Sequence, residues 1–367
     1  MGNYDIAAYV WPAYTGDEPR TRLFWEEGIG EWQSVKNSTP KANGYNWDRK
    51  PVWGYVNEAD PYVMDMQIEA ALDHGVNVFI YDWYWYDDRP FLENCLNDGF
   101  LKAPNSNKMK FYIMWANHDA NYTWDKRNSD SFTDTIWQGK ADRCQFEIIG
   151  KRWLEQYFTK ENYYKIDNKP VVSIYEMNNF VTGLGGVEET VDAMNWLREE
   201  AKKYGFDGIH FQFVRWDGKT ESITGVDGDV MVTDSALIEK LGFDSLTHYQ
   251  FVHFSDMDRD YMDILPDAVA EWNRASDSYK IPYFPHVSIG WDNNPRFKEY
   301  RVGVCRNNTP ENFEKALRLA KDFADEKGVS LITVNSWNEW TETSYLEPDT
   351  KYGYGYLEAI KKVFKEV

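Results

Sequence analysis

The sequence is poor in cysteine and histidine, and neither residue is spaced for a metal site. The three cysteines, Cys95, Cys144 and Cys305, lie far apart and are odd in number. They therefore predict neither a disulfide framework nor a zinc site. The six histidines form no H-x-x-x-H pair. We expect a chain that needs no metal and no other cofactor.

Basic residues and long apolar runs are also scarce. Asp and Glu number 60 against 40 Lys and Arg, which gives a net charge of −20. Nucleic acids and anionic membrane surfaces both require a basic face, so neither is expected as a partner. No apolar run reaches the ~18 residues of a membrane span, and the start, MGNYDIAAYV, has no signal-peptide pattern. We expect a monomer that does not insert into a membrane.

What the sequence has in excess is aromatic residues. They make up 17% of the 367 residues and include 17 Trp. Tryptophan and tyrosine combine a flat apolar face with a polar edge, which suits the grip of an amphipathic ligand such as a sugar ring. A Trp-rich core is the alternative interpretation.

Eight short apolar or aromatic runs alternate with helix-sized segments. Strands are predicted over 6–14, 76–87, 109–119, 171–179, 209–217, 245–250, 283–293 and 329–340. Asp-Pro or Thr-Pro starts and glycine stops mark helices such as 60–75 and 309–328. This order predicts a single (β/α)8 barrel domain over 1–367. A doubly wound open sheet is the alternative, but the first strand is followed by WPAYTGDEP and not by a Gly-rich phosphate turn.

Polar and aromatic residues gather where the predicted strands end. In a barrel these ends meet at the face that carries catalysis, and Asp, Asn and Trp are suited to bind sugar hydroxyls and C–H faces. The candidate substrate-binding residues are Tyr9, Trp11, Asp82, Tyr84, Trp85, Trp115, Asn117, His118, Glu176, Tyr249, Trp291, Asp292, Trp337 and Asn338. Four of these residues have open alternatives: Asp292 could pair with Arg296, Asn338 could brace Glu339, and Tyr9 or Tyr249 could simply fill the barrel mouth.

Two connections are too long to be simple joints. They are the β1–α1 loop, 15–59, and the β3–α3 loop, 120–141, and both are rich in Trp. Long ordered loops at this face usually build a binding cleft, where Trp32 would line a lid. Alternatively, the loops cover the barrel and bury their own tryptophans.

The stretch NSWNEWTETSYLEPD, 335–349, follows the last predicted strand and carries Glu339 and Glu342 among aromatic residues. Charge beside a buried strand is costly unless it is paired, hydrated or used. Hydrolysis of a glycosidic bond needs two carboxyl groups whose pKa values are pushed apart. An i,i+3 pair in a turn permits this chemistry, although an isolated E-x-x-E is usually a cap or half of an ion pair.

Six segments of the chain carry a family resemblance: AYVWPAY, FWEEGIGEWQSV, GVNVFIYDWYWYDD, FYIMWANHD, GWDNNPR and NSWNEWTETSYLEPDTKYGYGYLEAI. These segments resemble WbsX-type proteins, which are related to glycoside hydrolase family 99, the endo-α-mannosidases and endo-α-mannanases. The resemblance implies a (β/α)8 fold and retaining hydrolysis through a 1,2-anhydro sugar. It also implies that Glu339 is the base on the sugar 2-hydroxyl, and that Glu342 is the acid and then the base at the leaving oxygen.

The sequence departs from the family pattern at Thr343, where Gly is common, and at His118, where Glu is frequent. The sugar therefore stays undefined. The leading prediction is a retaining, endo-acting glycoside hydrolase with an oligo- or polysaccharide substrate. The alternatives are a glycosyltransferase of polysaccharide biosynthesis and a non-catalytic carbohydrate-binding protein. The compartment is open, and this composition favours a periplasmic, cell-surface or secreted protein.

Overall fold

The structure is a computed structural model that describes residues 4–125, 127, 131, 133–216, 222–224 and 230–365. The ends of two predicted elements, Asp217 of the fifth strand and 366–367 of the last helix, lie outside these residues. In the described part of the chain, no helix has both the length and the apolarity to cross a membrane.

Eight parallel strands form a barrel, as the sequence predicts. Seven neighbouring pairs are joined by parallel ladders in the order β6-β5-β4-β3-β2-β1-β8-β7. The circle closes between β6 and β7 at Leu246, whose N–H donates to Pro282 and whose carbonyl accepts from Phe284. The strands are β1 Asp5–Val10, β2 Val78–Tyr86, β3 Lys110–Trp115, β4 Lys169–Ile174, β5 His210–Arg215, β6 Ser245–His248, β7 His286–Ser288 and β8 Leu331–Asn335.

Helices surround this barrel and begin and end where their capping residues predict. Asp60 caps the second helix, which ends at Gly75 with a φ of 99°. Thr309 caps the eighth, which ends at Gly328 with a φ of 69°. The helices are α1 Trp32–Lys36, α2 Pro61–His74, α3 Arg143–Trp153, α4 Met177–Leu184, α5 Val187–Lys202, α6 Ser235–Leu241, α7 Tyr261–Ser278, α8 Pro310–Lys327 and α9 Gly355–Phe364.

The regular alternation of strand and helix fails after β2. There the chain forms a short strand, Arg89–Phe91, that pairs antiparallel with β2, and then single helical turns at Cys95–Gly99, Phe100–Lys102 and Ser106–Lys108. Three other short pairings lie outside the barrel ladders. They are Lys165–Ile166 with β4, Ser222–Thr224 with Val230–Val232, and Asn338–Glu339 with Ser344–Tyr345.

Alternation along β2 decides which side chains reach the barrel interior. All nine residues of β2 are buried, but on two different sides. Asp82 and Tyr84 point into the mouth of the barrel. Trp83 points outward and its ring lies 5.4 Å from that of Trp153 in α3. Trp85 points the same way and donates to Gln145 at 3.2 Å. The inward side of β2 therefore contributes to the barrel mouth, and its outward side packs against α3.

Candidate active site at the barrel mouth

A narrow cavity of about 70 Å³ opens at the C-terminal ends of the barrel strands. Its lining combines carboxyl groups, one guanidinium and several aromatic rings. The lining residues are Trp11, Asp82, Tyr84, Met114, Ala116, His118, Trp124, Tyr175, Tyr249, Arg296, Glu339 and Glu342. This is the face at which (β/α)8 barrels carry their active sites.

Arg296 is the electrostatic centre of the cavity. Its Nη1 donates to Glu342 at 2.8 Å, its Nη2 to Glu339 at 3.4 Å, and its Nε to Glu31 at 3.0 Å. Glu31 lies behind the cavity wall and also accepts from Trp11 Nε1 at 2.6 Å. One guanidinium thus holds the two candidate catalytic glutamates and anchors them to the β1–α1 loop.

Burial shifts the pKa values of this group strongly. It raises the pKa of Glu339 well above its usual value, and the neighbouring Glu342 adds to this rise. Burial also raises the pKa of Glu342, but Arg296 opposes the rise. For Arg296, burial acts downward, yet the surrounding carboxylates of Glu31, Glu342 and Glu339 hold its pKa well above its usual value. The pair Glu339–Glu342 can therefore keep one proton near neutral pH.

A third carboxyl group, that of Asp82, faces the same cavity. Its Oδ2 accepts from the Tyr249 hydroxyl at 3.0 Å, and this hydroxyl lies 3.5 Å from Glu339 Oε1. Its Oδ1 is buried and has no hydrogen-bond partner among the described residues. Burial raises the pKa of Asp82 well above its usual value. An unsatisfied oxygen that faces a cavity is available for a ligand.

A sharp turn after β8 presents the two glutamates. Residues Trp340–Glu342 form a single 3₁₀ turn, and Thr343 follows with a φ of 56°. That left-handed conformation normally favours glycine, which explains why the family pattern has Gly here. Thr343 is fixed by its hydroxyl, which accepts from Trp47 Nε1 at 2.9 Å and donates to the Asp292 carbonyl at 2.9 Å.

The structure brings seven of the predicted site residues together in the cavity. They are Trp11, Asp82, Tyr84, His118, Tyr249, Glu339 and Glu342. His118 is held by its contact with the Asp119 carbonyl at 3.0 Å, and burial lowers its pKa. It is therefore a neutral imidazole at neutral pH.

Six predicted aromatic residues, five tryptophans and Tyr9, do not line the cavity. Trp85 and Trp115 face outward from their strands, Trp115 packing 5.7 Å from Trp153. Trp32 packs 4.2 Å from the ring of Tyr14. The remaining two tryptophans are Trp337, which is buried and donates to Gln67 at 3.0 Å, and Trp291, which is half-buried. Tyr9 lies one layer below the cavity, its ring 4.7 Å from that of Tyr249.

The four remaining predicted residues have partners within the protein. Asn117 bridges to the backbone N–H and carbonyl of Glu176. The Glu176 carboxylate caps α4 by accepting from the N–H groups of its first turn. Asp292 accepts from Tyr45 at 2.6 Å and does not pair with Arg296. Asn338 binds the backbone of Trp11 on both sides, so it braces the chain beside Glu339.

Five lining residues, Met114, Ala116, Trp124, Tyr175 and Arg296, are not among those predicted from the sequence. Strand parity could have revealed Met114, because β3 pairs with β2 with Asp82 opposite Met114. Arg296 and Trp124 come from irregular segments after β7 and β3, where no periodicity indicates direction. Among the described residues, no cluster of His, Cys, Asp and Glu has the arrangement to hold a metal ion.

A family model described as "Glycosyltransferase WbsX" matches residues 6–360. The chain belongs to the WbsX family. Two curated relatives, both named "Uncharacterized protein WxcX" and from two strains of Xanthomonas campestris pv. campestris, are 24% identical over 352 residues. These cover 94% of this chain but 47% of each relative, so the chain spans about half the length of the relatives it matches.

Solved structures share the fold of this family member. The GH99 endo-alpha-mannosidase from Bacteroides thetaiotaomicron has a TM-score of 0.63 at 13% identity, covering 98% of this chain and 96% of that one. Its complex with BIS-TRIS-propane has a TM-score of 0.64, also at 13% identity, covering 100% and 97%. A glycoside hydrolase-like protein has a TM-score of 0.60 at 15% identity, covering 100% and 95%. These likenesses establish the barrel fold.

Proposed function

We propose that this WbsX-family chain is a retaining, endo-acting glycoside hydrolase that cleaves an oligo- or polysaccharide with Glu339 and Glu342. The observation that carries the proposal is that both carboxyl groups line one cavity and contact one guanidinium, that of Arg296. Two carboxyl groups of unlike environment are the requirement of glycoside hydrolysis. The shared fold of the endo-α-mannosidase structure adds support.

The proposed reaction has two steps, each of which moves one proton at each glutamate. In the first step, Glu339 accepts the proton of the sugar 2-hydroxyl while that oxygen bonds to C1. The C1–leaving-oxygen bond breaks, and Glu342 gives its proton to the leaving oxygen. In the second step, the oxygen of a water bonds to C1 while the C1–O2 bond breaks. Glu342 takes a proton from the water, and Glu339 returns its proton to O2. One proton on the pair at the start is therefore enough.

The contacts of the free protein bear on which glutamate holds that proton. Arg296 lies closer to Glu342, at 2.8 Å, than to Glu339, at 3.4 Å. This favours an ionised Glu342 and a protonated Glu339 before substrate binds. The roles taken from the resemblance need the opposite order once the leaving oxygen is bound. A substrate must therefore move the proton within the pair, and a buried pair that shares one proton permits this.

The other lining residues suit a neutral sugar ring. Trp11, Tyr84 and Trp124 offer aromatic faces, and the unpartnered Asp82 Oδ1 can bind a hydroxyl. A cavity of about 70 Å³ holds only a few waters. Binding therefore requires the rim side chains to move aside and the water to leave.

The family description raises a second candidate, a glycosyltransferase. A sugar-nucleotide donor carries a diphosphate, which proteins bind with basic groups, a metal or a Gly-rich turn at a helix start. Arg296 is the single Lys or Arg side chain among the lining residues of the cavity, and three carboxyl groups already engage it. The cavity chemistry therefore favours the hydrolase over the transferase.

The test compares the wild type with the Glu339→Gln/Glu342→Gln double variant on bacterial, fungal and plant polysaccharides. New reducing ends and product masses are measured. The proposal predicts oligosaccharide products from the wild type alone, with glycan binding retained in the variant. Equal product release by both proteins would contradict the assignment of the two glutamates. Tight binding of a glycan without release by either protein would identify a carbohydrate-binding protein.

A further inference from the structure

A second pair of carboxyl groups lies outside the cavity, behind the loop that follows β8 (residues 336–346, the strand-8 loop). Glu58 comes from the long segment 15–59 after β1, in its part between α1 and α2, and Glu347 follows the short strand Ser344–Tyr345. Their exposed fractions are 0% and 2%. In the described part of the chain, neither carboxyl takes part in an ion pair, although the pair sits in the protein core. Two ionised carboxylates in such a place would be very costly.

The two groups share a donor. Gln67 Nε2 lies 3.2 Å from Glu58 Oε1 and 2.8 Å from Glu347 Oε1, so these two oxygens flank one amide nitrogen. Two carboxylates held this close without a cation repel each other, and a proton on one of them removes that repulsion. A protonated carboxyl can also donate to its neighbour, which an ionised one cannot.

The pair holds both neighbours of Glu339. Asn338 Nδ2 donates to Glu58 Oε2 at 2.9 Å, and Trp340 Nε1 donates to Glu347 Oε2 at 2.5 Å. Trp337 reaches the same cluster through Gln67. The residues on each side of the candidate catalytic glutamate are therefore anchored to one buried acid pair.

The titratable groups that face the pair from the other elements are a thiol and two phenol hydroxyls, which are uncharged at neutral pH. They are Cys95 in the turn after β2, whose Sγ lies 3.8 Å from Glu58, Tyr81 of β2 and Tyr14 after β1. Burial raises the pKa of Cys95, of Tyr81 and of Tyr14 well above their usual values. The turn Cys95–Gly99 packs closely against the backbone of Glu58, because a Cβ on Gly99 would lie 2.0 Å from the Glu58 carbonyl oxygen.

We propose that Glu58 and Glu347 are positioning residues that share one proton. This protonated pair fixes Asn338 and Trp340 and thereby the direction in which the Glu339 side chain points. Ionisation of the pair at alkaline pH releases the strand-8 loop. The consequence for activity rests on the function proposed above. The pair itself touches no substrate.

The pH dependence follows from the direction of the shifts. Burial raises the pKa of Glu58 to about 7, and burial with the charge of Glu58 raises that of Glu347 well above its usual value. A carboxyl whose pKa is raised on folding stabilises the folded state below its unfolded pKa of about 4.3. For Glu58 that stabilisation is lost as the pH rises through about 7. The proton that remains is held with Glu347 and leaves at a higher pH, so the loop should be ordered at neutral pH and loosen at alkaline pH.

Glu58→Gln is a well-matched test variant. Its amide oxygen can keep the bonds from Asn338 and Cys95, and its NH₂ can replace the shared proton by donating to Glu347 Oε1. The variant loses the bond from Gln67 Nε2 to Glu58 Oε1. With one acid left, however, the pair cannot carry two negative charges at any pH. Glu26→Gln, at an exposed site in the same loop, is the control.

The experiment measures hydrogen–deuterium exchange of a peptide covering 336–347 at about pH 7, where the pair holds its shared proton, and at about pH 10. Uptake is normalised to a peptide of α8. Wild type and Glu26→Gln should gain severalfold in uptake at the higher pH, and Glu58→Gln should not. In parallel, kcat/KM on a cleaved glycan should fall with pH in the wild type more steeply than in Glu58→Gln.

Unchanged uptake in the wild type, or an equal gain in Glu58→Gln, would overturn the proposal. A lower unfolding temperature without a change in peptide uptake would also overturn it, because the pair would then be structural only. If Glu58→Gln does not fold, the uptake of the wild-type peptide at the two pH values still tests whether the loop is released at alkaline pH. If no glycan is cleaved, the proposed function fails, but the exchange measurement still tests the acid pair.

Discussion

The strand-8 loop separates two buried carboxyl pairs that differ in what surrounds them. Glu339 and Glu342 face a cavity and contact the guanidinium of Arg296. Glu58 and Glu347 are buried in the core and accept hydrogen bonds from uncharged side chains. A carboxyl pair that contacts a cation and faces a cavity can exchange a proton with a ligand. A carboxyl pair with no cation and no cavity either keeps its proton or destabilises the structure around it when the proton leaves. Burial alone therefore does not identify a catalytic acid.

The largest expected effect comes from removing the cation of the first pair. Arg296→Met leaves Glu31, Glu339 and Glu342 without their shared partner, at a cost of about 3–5 kcal/mol of unfolding free energy at neutral pH. The deficit should shrink toward pH 5, because protonation of the glutamates removes the uncompensated charge. Urea unfolding at several pH values measures it.

The control is Arg89→Met, which removes an exposed ion pair with Asp87. It should cost less than about 1 kcal/mol. An Arg296→Met deficit as small as this, or one that grows toward acid pH, would contradict the picture of a single guanidinium compensating the cavity carboxyls.

A smaller effect is expected from the third cavity carboxyl. Asp82→Asn keeps the shape of the side chain and the oxygen that accepts from Tyr249, but replaces the unpartnered Oδ1 with an NH₂ group. A lost hydrogen bond from substrate to this oxygen lowers kcat/KM by about 10- to 100-fold. Steady-state kinetics on a cleaved glycan measures this. Asp87→Asn, at an exposed position five residues along, should be neutral, and equal kinetics for the two variants would remove Asp82 from the site.

The smallest effect is expected on the outer side of β2. Trp85→Phe loses a hydrogen bond to Gln145 and should cost about 1 kcal/mol of stability with less than about twofold change in activity. Trp11→Phe, inside the cavity, loses the bond to Glu31 and should reduce activity about tenfold. A large loss of activity in Trp85→Phe would mean that the substrate reaches beyond the cavity.

The sequence predicts the barrel well because its signal is local. Each strand is a short apolar run, and caps such as Asp60 and Thr309 mark helix starts at the right residues. The exception is the segment after β2, where PFLENCLNDGF has the length of a helix but forms only separate turns. The family match over 6–360 agrees with the resemblance drawn from the motifs.

The site is harder to predict, because strand ends alone do not tell inside from outside. Asp82 and Trp83 are neighbours at one strand end, yet they face opposite sides of the barrel. Parity counted from Asp82 would have placed Trp83 and Trp85 outside. Arg296 could not be placed in this way, because its partner Glu31 lies 265 residues away in sequence and its partner Glu339 lies 43 residues away. Only the folded chain reveals that contact.

The most direct test of the central claim uses Glu339→Gln and Glu342→Gln separately. Each is assayed on the natural glycan and on an aryl glycoside of the same sugar with a good leaving group. A divided catalytic pair predicts that Glu342→Gln loses about 1,000-fold or more on the glycan but retains activity on the aryl glycoside, since that leaving group needs no acid. Glu339→Gln should lose activity on both. Wild-type rates from both variants on both substrates would contradict the account.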